Sequence, residues 1–420
     1  LQETKAGPSK KIRLTTSKAS FKILKKMLKK KKKWMLFSLA FFTSLCYSQS
    51  TELSEKKIEN QPPLSNPPKE TQAADKKLDF LTKKASCAVL FVGDYAKTFS
   101  SNVDMNGNHT TDDKASDNGF YLRYVRLQAK FEINKITAQV LINLADFKNN
   151  PQTRVLELAN LKYKANNYLS IQAGQFRPYF GLEDLYPADI LKSYNWSNQY
   201  TLFGNNGWQS FQIGAAVFGS LSDLKIPLKY YYSFVNGNGK NQVADSDNAK
   251  HHMFRLEYKL GKYLNLGGNV GFSRWDGQSA KAYGADLQFE KKISPTLCLA
   301  LDTEYKRGSN LNAYTASKLV PKELNDYEMQ GVYVIPLVRK IIDVDKKIGV
   351  EFSFRYEYLE NLVKAGNPLR IYTPMASYIL GEDYIGKLSL VGLFVDYNKS
   401  IPNSAQYDYN QILLQYQIRF

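Results

Sequence analysis

The sequence is poor in the residues that build most catalytic and metal sites. Three cysteines, Cys46, Cys87 and Cys298, are too few for a disulfide scaffold or a four-cysteine zinc site. Three histidines, His109, His251 and His252, leave little for histidine-based acid–base or nucleophilic chemistry. From Ser86 onward no apolar run approaches the roughly 20 residues of a membrane-spanning helix. Acids are also scarce relative to bases: 39 Asp and Glu against 57 Lys and Arg, a net charge of +18. Such an excess points to polyanionic partners unless it is confined to one segment. Aromatics, by contrast, are abundant. The 29 Tyr and 23 Phe, in a chain that is 43% hydrophobic, exclude global disorder.

The cationic excess is confined. Residues 1–48 hold 13 Lys and Arg and one acid, Glu3; the remaining chain has 44 basic and 38 acidic residues, a net charge of +6. Lys29 to Lys33 form a positive block, Trp34 to Leu45 a short apolar run, and Cys46-Tyr47-Ser48 a small-x-small site. Together they predict a secretory signal peptide over 27–48, cut at Ser48/Gln49. Met27 is the expected initiator, which makes 1–26 an upstream, non-native segment. A lipoprotein cut before Cys46 is disfavoured by the bulk of Leu45. Residues 49–85, with Pro62-Pro63 and Pro67-Pro68, read as a flexible polar segment. With the leader removed, a nucleic-acid partner loses its main support.

Residues 86–420 carry a period of two. In the last segment Ile412, Leu414, Tyr416, Ile418 and Phe420 alternate with Gln411, Leu413, Gln415, Gln417 and Arg419. Phe352, Phe354, Tyr356 and Tyr358 interleave with Ser353, Arg355 and Glu357 in the same way. A soluble sandwich alternates too. Here the segments are long, and Tyr and Phe cluster near the ends of their apolar faces. That pattern predicts an all-β fold, a transmembrane antiparallel barrel of about 16 strands with long extracellular loops and short periplasmic turns. The expected strands run from 86–99 to 407–420 and include 153–164, 224–236 and 376–384, with 338–345 as the one longer turn. Cys87 and Cys298 fall on strands one and eleven, too far apart to bridge. His251-His252, where a long loop meets strand eight, reads as an inert surface pair. The terminal Phe420 resembles the insertion signal read by the barrel-assembly machinery.

The segment Gly174-Gln175-Phe176-Arg177-Pro178-Tyr179-Phe180-Gly181-Leu182-Glu183 resembles the phosphate-selective porin O/P family, with Tyr179 as an extra residue after Pro178. The resemblance implies a sixteen-stranded porin, usually a homotrimer, whose third extracellular loop, here 181–207, folds into the lumen. It also implies outer-membrane lipid around the barrel, and small hydrophilic solutes within it, phosphate and other anions among them.

A pore needs no catalytic constellation and no cofactor; its selectivity lies in width and wall charge. If polar faces point inward, early strands contribute Arg126, Lys130, Lys162, Lys164, Lys225, Lys229, Arg255 and Lys259. Later strands contribute Asp286, Glu290, Asp302, Glu304, Glu351 and Glu357, with Lys306 and Arg355 among them. The constriction-loop candidates are Arg177, Glu183, Asp184, Asp189 and Lys192. Basic and acidic walls in opposition would set a field across the lumen, passing ions of both signs with a bias. Strong phosphate selectivity would instead require cations converging on one narrow site. The expected function is passive diffusion of small hydrophilic solutes. The alternative is a barrel with a mainly structural or surface-binding role, acting through loops 100–117, 237–250 and 308–325.

Overall fold

The computed structural model describes residues 84–111, 115–147, 155–242, 245, 248–381 and 385–420. The chain divides into two units, Leu1–Lys69 and Glu70–Phe420, and all described residues belong to the second. The expected initiator Met27, the signal peptide and residues 49–83 of the expected flexible segment 49–85 lie outside the described residues; the last two residues of that segment, Lys84 and Ala85, open the first strand instead.

Sixteen antiparallel strands close into one barrel. They are β1 (Lys84–Thr98), β2 (Asn118–Ile133), β3 (Ile136–Asn143), β4 (Leu156–Lys164), β5 (Ser170–Phe176), β6 (Gln212–Ser220), β7 (Leu228–Val235) and β8 (His251–Leu260). The second half is β9 (Leu264–Trp275), β10 (Gln278–Ser294), β11 (Leu297–Ser309), β12 (Glu328–Asp343), β13 (Ile348–Glu360), β14 (Leu369–Leu380), β15 (Gly386–Tyr397) and β16 (Tyr409–Arg419). Each strand pairs with its sequence neighbours, and β1 closes on β16 with Phe91 opposite Ile418. Closure leaves no unpaired edge, as the hydrocarbon phase demands.

The alternation sets which face points in. On β16, Ile412, Leu414, Tyr416 and Ile418 are exposed on the outside, whereas Gln411, Leu413, Gln415 and Gln417 are buried inside. On β13, Phe352 and Phe354 face out, and Glu351, Ser353, Arg355 and Glu357 face in. An apolar exterior over a polar interior is stable only in lipid.

Connections alternate in length. One rim carries L1 (99–117), L2 (144–155), L3 (177–211), L4 (236–250), L5 (276–277), L6 (310–327), L7 (361–368) and L8 (398–408). The other carries only short turns, the longest being 221–227, and both barrel ends lie there.

Three expected boundaries are corrected. Strand 14 starts at Leu369 rather than 376, and strand 12 runs on to Asp343, so 338–345 is not a turn. Both errors come from proline. Pro374 and Pro336 cannot donate to the ladder, and proline inside a run argues against a strand. Here Gly392 makes room beside Pro374, since a Cβ on that glycine would lie 3.1 Å from the proline ring. The third concerns β7, which begins at Leu228, after a turn in which Lys225 adopts a left-handed conformation (φ 62°). Lys225 therefore sits on the short-turn rim, not on the wall of a strand.

Candidate permeation pathway

L3 fills much of the interior, and the glycines of the 174–183 segment explain how. Gly181 has φ 109°, and a Cβ there would stand 2.3 Å from Glu304 Oε1 and 2.7 Å from Lys306 Nζ. Without that Cβ the backbone settles on the wall, and Leu182 N donates to Glu304 Oε1 at 2.8 Å. Glu183 and Asp184 then fasten the loop to itself. Glu183 accepts from Ser197 N at 2.9 Å and from Ser197 Oγ. Asp184 accepts from Phe180 N at 2.9 Å and Ser210 N at 3.2 Å, joining the two ends of L3. Ser197 also caps the helix α1 (Asn198–Asn205) by accepting from Tyr200 N.

From there the loop crosses the lumen. Tyr186 Oη and Lys192 Nζ donate to Asp302 at 2.9 and 2.7 Å. Asn198 N donates to Glu357 at 2.7 Å, and Arg355 Nη1 donates to Asn195 O at 2.6 Å. Gln415 and Gln417 donate to the carbonyls of Tyr194 and Asp189 at 3.1 and 2.9 Å, while Arg419 pairs with the Asp189 carboxylate. Trp208 Nε1 donates to Ser309 O at 3.1 Å, anchoring the returning end. L3 is thus tied to β11, β13 and β16, and the lumen on that side is packed.

Open space remains against β2–β4. A cavity of about 730 Å³ on the long-loop side is lined by Asp146, Asn195, Thr201 and Lys240. A second, of about 480 Å³, lies toward the short turns and is lined by Gln128, Gln139, Ala188 and Asp189. Both are bordered by Arg126, Trp196 and Phe211, which form the neck between them. Arg126 lies 4.9 Å from the Trp196 ring centroid and pairs with Glu157 at 2.7 Å. Arg177 lies 5.9 Å from the rings of both Trp196 and Phe211, and its guanidinium donates to the carbonyls of Glu183 and Tyr186. A third cavity, of about 580 Å³, opens toward the short turns between Tyr231, Lys229, Lys259, Asn265 and Gln288.

The two signs of charge have different fates. Arg255 donates to both carboxylate oxygens of Asp286 at 2.6 and 3.0 Å. Glu304 pairs with Lys306 at 2.8 Å, Asp302 with Lys192 at 2.7 Å, Glu357 with Arg355 at 2.6 Å and Glu351 with Lys387 at 3.0 Å. Of the later-strand candidates only Glu290 is exposed, 4.0 Å from Lys192. On the early strands Lys130 pairs with Glu132, and Lys229 lies 3.6 Å from Glu257. Among the described residues Lys162, Lys164 and Lys259 make no ion pair; Lys162 Nζ sits 5.1 Å over the Phe218 ring.

Glu157, Trp196 and Phe211 at the neck were not anticipated. The alternation in 153–164 is poor because a bulge lies there: Leu141 pairs with Leu158 but Ile142 with Leu156, which turns Glu157 inward. Trp196 and Phe211 sit in an irregular loop, where period 2 carries no information. The histidine pair is also corrected. His251 is fully buried, 4.4 Å from the Trp208 ring, in space left by Gly207 and Gly237; His252 faces outward beside Tyr232 Oη, at 2.9 Å.

Burial pushes the Glu183 and Asp184 carboxyls up to about 7, in the presence of Glu304, Lys306, Arg355 and Arg177. In a released loop they would return toward 4.5 and 3.8. The docked loop then binds more protons between those limits, so acidification through that window strengthens docking. Single-channel conductance is expected to fall as pH drops through about 7. Glu183→Gln/Asp184→Asn should weaken that dependence, and an unchanged pH profile in the double variant would refute it.

Residues 98–270 match the family model of phosphate-selective porin O and P. The resemblance to that family is shown over this segment. Among curated proteins no relative matches. Solved structures with the same fold include the outer membrane channel DcaP of Acinetobacter baumannii, with 13% identity and TM-score 0.53, covering 80% of this chain and 97% of that one. An anion-selective porin from Comamonas acidovorans has 8% identity and TM-score 0.53, covering 80% and 99%. OmpF of Salmonella typhi, in complex with daunomycin, has 13% identity and TM-score 0.54, covering 80% and 98%. This is the porin fold, a closed antiparallel barrel of 16 strands.

Proposed function

We propose that the chain is an outer-membrane porin through which small hydrophilic solutes diffuse passively, anions being weakly preferred. The observation that supports this most directly is the neck at Arg126, Trp196 and Phe211, where L3 narrows a barrel that otherwise holds open cavities. The weak preference follows from the ion pairs. Asp286, Asp302, Glu304, Glu351 and Glu357 are neutralised by neighbouring cations. Lys162, Lys164, Lys259 and Arg177 have no carboxylate in ion-pair range among the described residues, and they give the wall its residual sign. These cations are spread over β4, β8 and L3 rather than gathered on one oxyanion site. That spread supports an electrostatic bias, not strict phosphate selection. Export by the 27–48 leader, insertion through Phe420 by the barrel-assembly machinery and assembly as a trimer complete the reading. Planar bilayers containing the purified protein should show ohmic single-channel steps. An intact barrel without conductance would favour a surface-binding role instead.

A further inference from the structure

The outward face of β9–β11 differs from the rest of the exterior at the long-loop rim. On the other strands at that rim, the outward cations Lys97 and Arg370 are neutralised within the protein: Lys97 pairs with Asp117, and Arg370 lies 3.5 Å from Asp396. On β9–β11 three cations project outward together. Arg274 stands opposite Ser279, Phe272 opposite Lys281, and Tyr283 opposite Arg307. Lys281 is therefore the diagonal neighbour of both arginines, at a spacing of about 7–8 Å that their long side chains can close. Arg307 is held by Glu328, with Nε at 3.1 Å, but Arg274 and Lys281 are exposed and make no ion pair among the described residues.

Two further features mark the place. The joining turn L5 has two residues, Asp276 and Gly277, and its one acid accepts from Tyr314 Oη at 2.9 Å, toward L6. Directly toward the membrane midplane, Phe272, Tyr283 and Tyr305 are 49%, 44% and 39% exposed, forming the aromatic band of the lipid interface. Unpaired cations just beyond that band lie at headgroup depth. Phosphate groups are the strong anions of that layer, and a phosphate takes charge-assisted hydrogen bonds from a guanidinium and an ammonium.

We propose that Arg274 and Lys281, with Arg307 beside them, bind a phosphate of a phosphorylated glycolipid in the surrounding outer leaflet. Its acyl chains run along Phe272, Tyr283, Val270 and Leu287. The proposal goes beyond conduction, because the site lies outside the lumen. Free phosphate has the same headgroup chemistry, so the test must separate the two sources. The probe is a bisphosphorylated, acylated glucosamine disaccharide added to the detergent-purified full chain, with binding read by native mass spectrometry. Its dephosphorylated counterpart and inorganic phosphate are tested in parallel. Arg274→Gln/Lys281→Gln should weaken glycolipid binding about tenfold to thirtyfold. Lys340→Gln, which removes an exposed outward cation at the opposite rim, should leave binding unchanged. Conductance of the double variant should equal that of the wild type, which also shows that the barrel is intact. Equal glycolipid binding by wild type and double variant would overturn the proposal. So would equal binding of the dephosphorylated lipid, or inorganic phosphate binding as tightly as the glycolipid.

Discussion

Asp302→Ala/Glu304→Ala is expected to raise single-channel conductance severalfold while the barrel stays closed. Asp302 receives Tyr186 and Lys192, and Glu304 receives Leu182 N, so these two carboxylates hold the descending arm of L3 against β11. Their removal also leaves Lys306 with Gln209, at 2.8 Å, in place of a carboxylate. Breaking a buried pair from one side costs about 3–5 kcal/mol. The strand ladder does not depend on these side chains, so the loss falls on loop docking. Planar-bilayer conductance, together with liposome swelling in sugars of increasing size, reads the outcome. Glu304→Gln alone keeps an acceptor for Leu182 N and should change conductance far less. Unchanged conductance in the double alanine variant would mean that L3 is not the constriction.

The second large effect concerns sign. Neutralising Lys162, Lys164, Lys229 and Lys259 to Gln is expected to move the reversal potential in a salt gradient toward the cation limit. Three of the four have no ion pair among the described residues, and Lys229 has only a distant one. Lys225 and Arg255, natural members of such a set from sequence alone, are expected to behave differently. Lys225 stands on the rim, and its removal should change little. Arg255 already cancels Asp286 and lies 3.1 Å from Glu257, so Arg255→Gln exposes carboxylate rather than deleting an open cation. It should also shift selectivity toward cations, with a loss of stability that the lysine variants lack. Exposed charges are screened beyond about 10 Å at 0.1 M salt, so both effects should be largest at low ionic strength. A quadruple lysine variant with wild-type reversal potential would remove these residues from the selectivity account.

Much of the barrel was legible because its exterior and interior differ at every second residue. The count of sixteen strands and the alternation of loop lengths follow from that signal. It failed where the period is broken for local reasons. Pro336 and Pro374 lie within strands that a proline rule would end, and the bulge before Leu158 hides the inward turn of Glu157. The site was legible only as a list of charges. That Lys306, Arg355 and Lys387 neutralise Glu304, Glu357 and Glu351 depends on which side chains the closed barrel brings together. Alternation gives the face but not the partner. The same holds for Trp196 and Phe211, whose positions at the neck depend on the path of L3. The 174–183 segment was the exception, since its Gly181 marks the point where the chain, having left β5, lies against Glu304.

On the function proposed above, L3 leaves a water-filled path whose residual charge is cationic. Zero-current potential across a planar bilayer under a potassium chloride gradient, measured on channels of the purified full chain, tests it most directly. The expected result is ohmic channels with a potential displaced modestly toward the chloride equilibrium value. A cation-selective potential, or an intact barrel that passes no current, would contradict it.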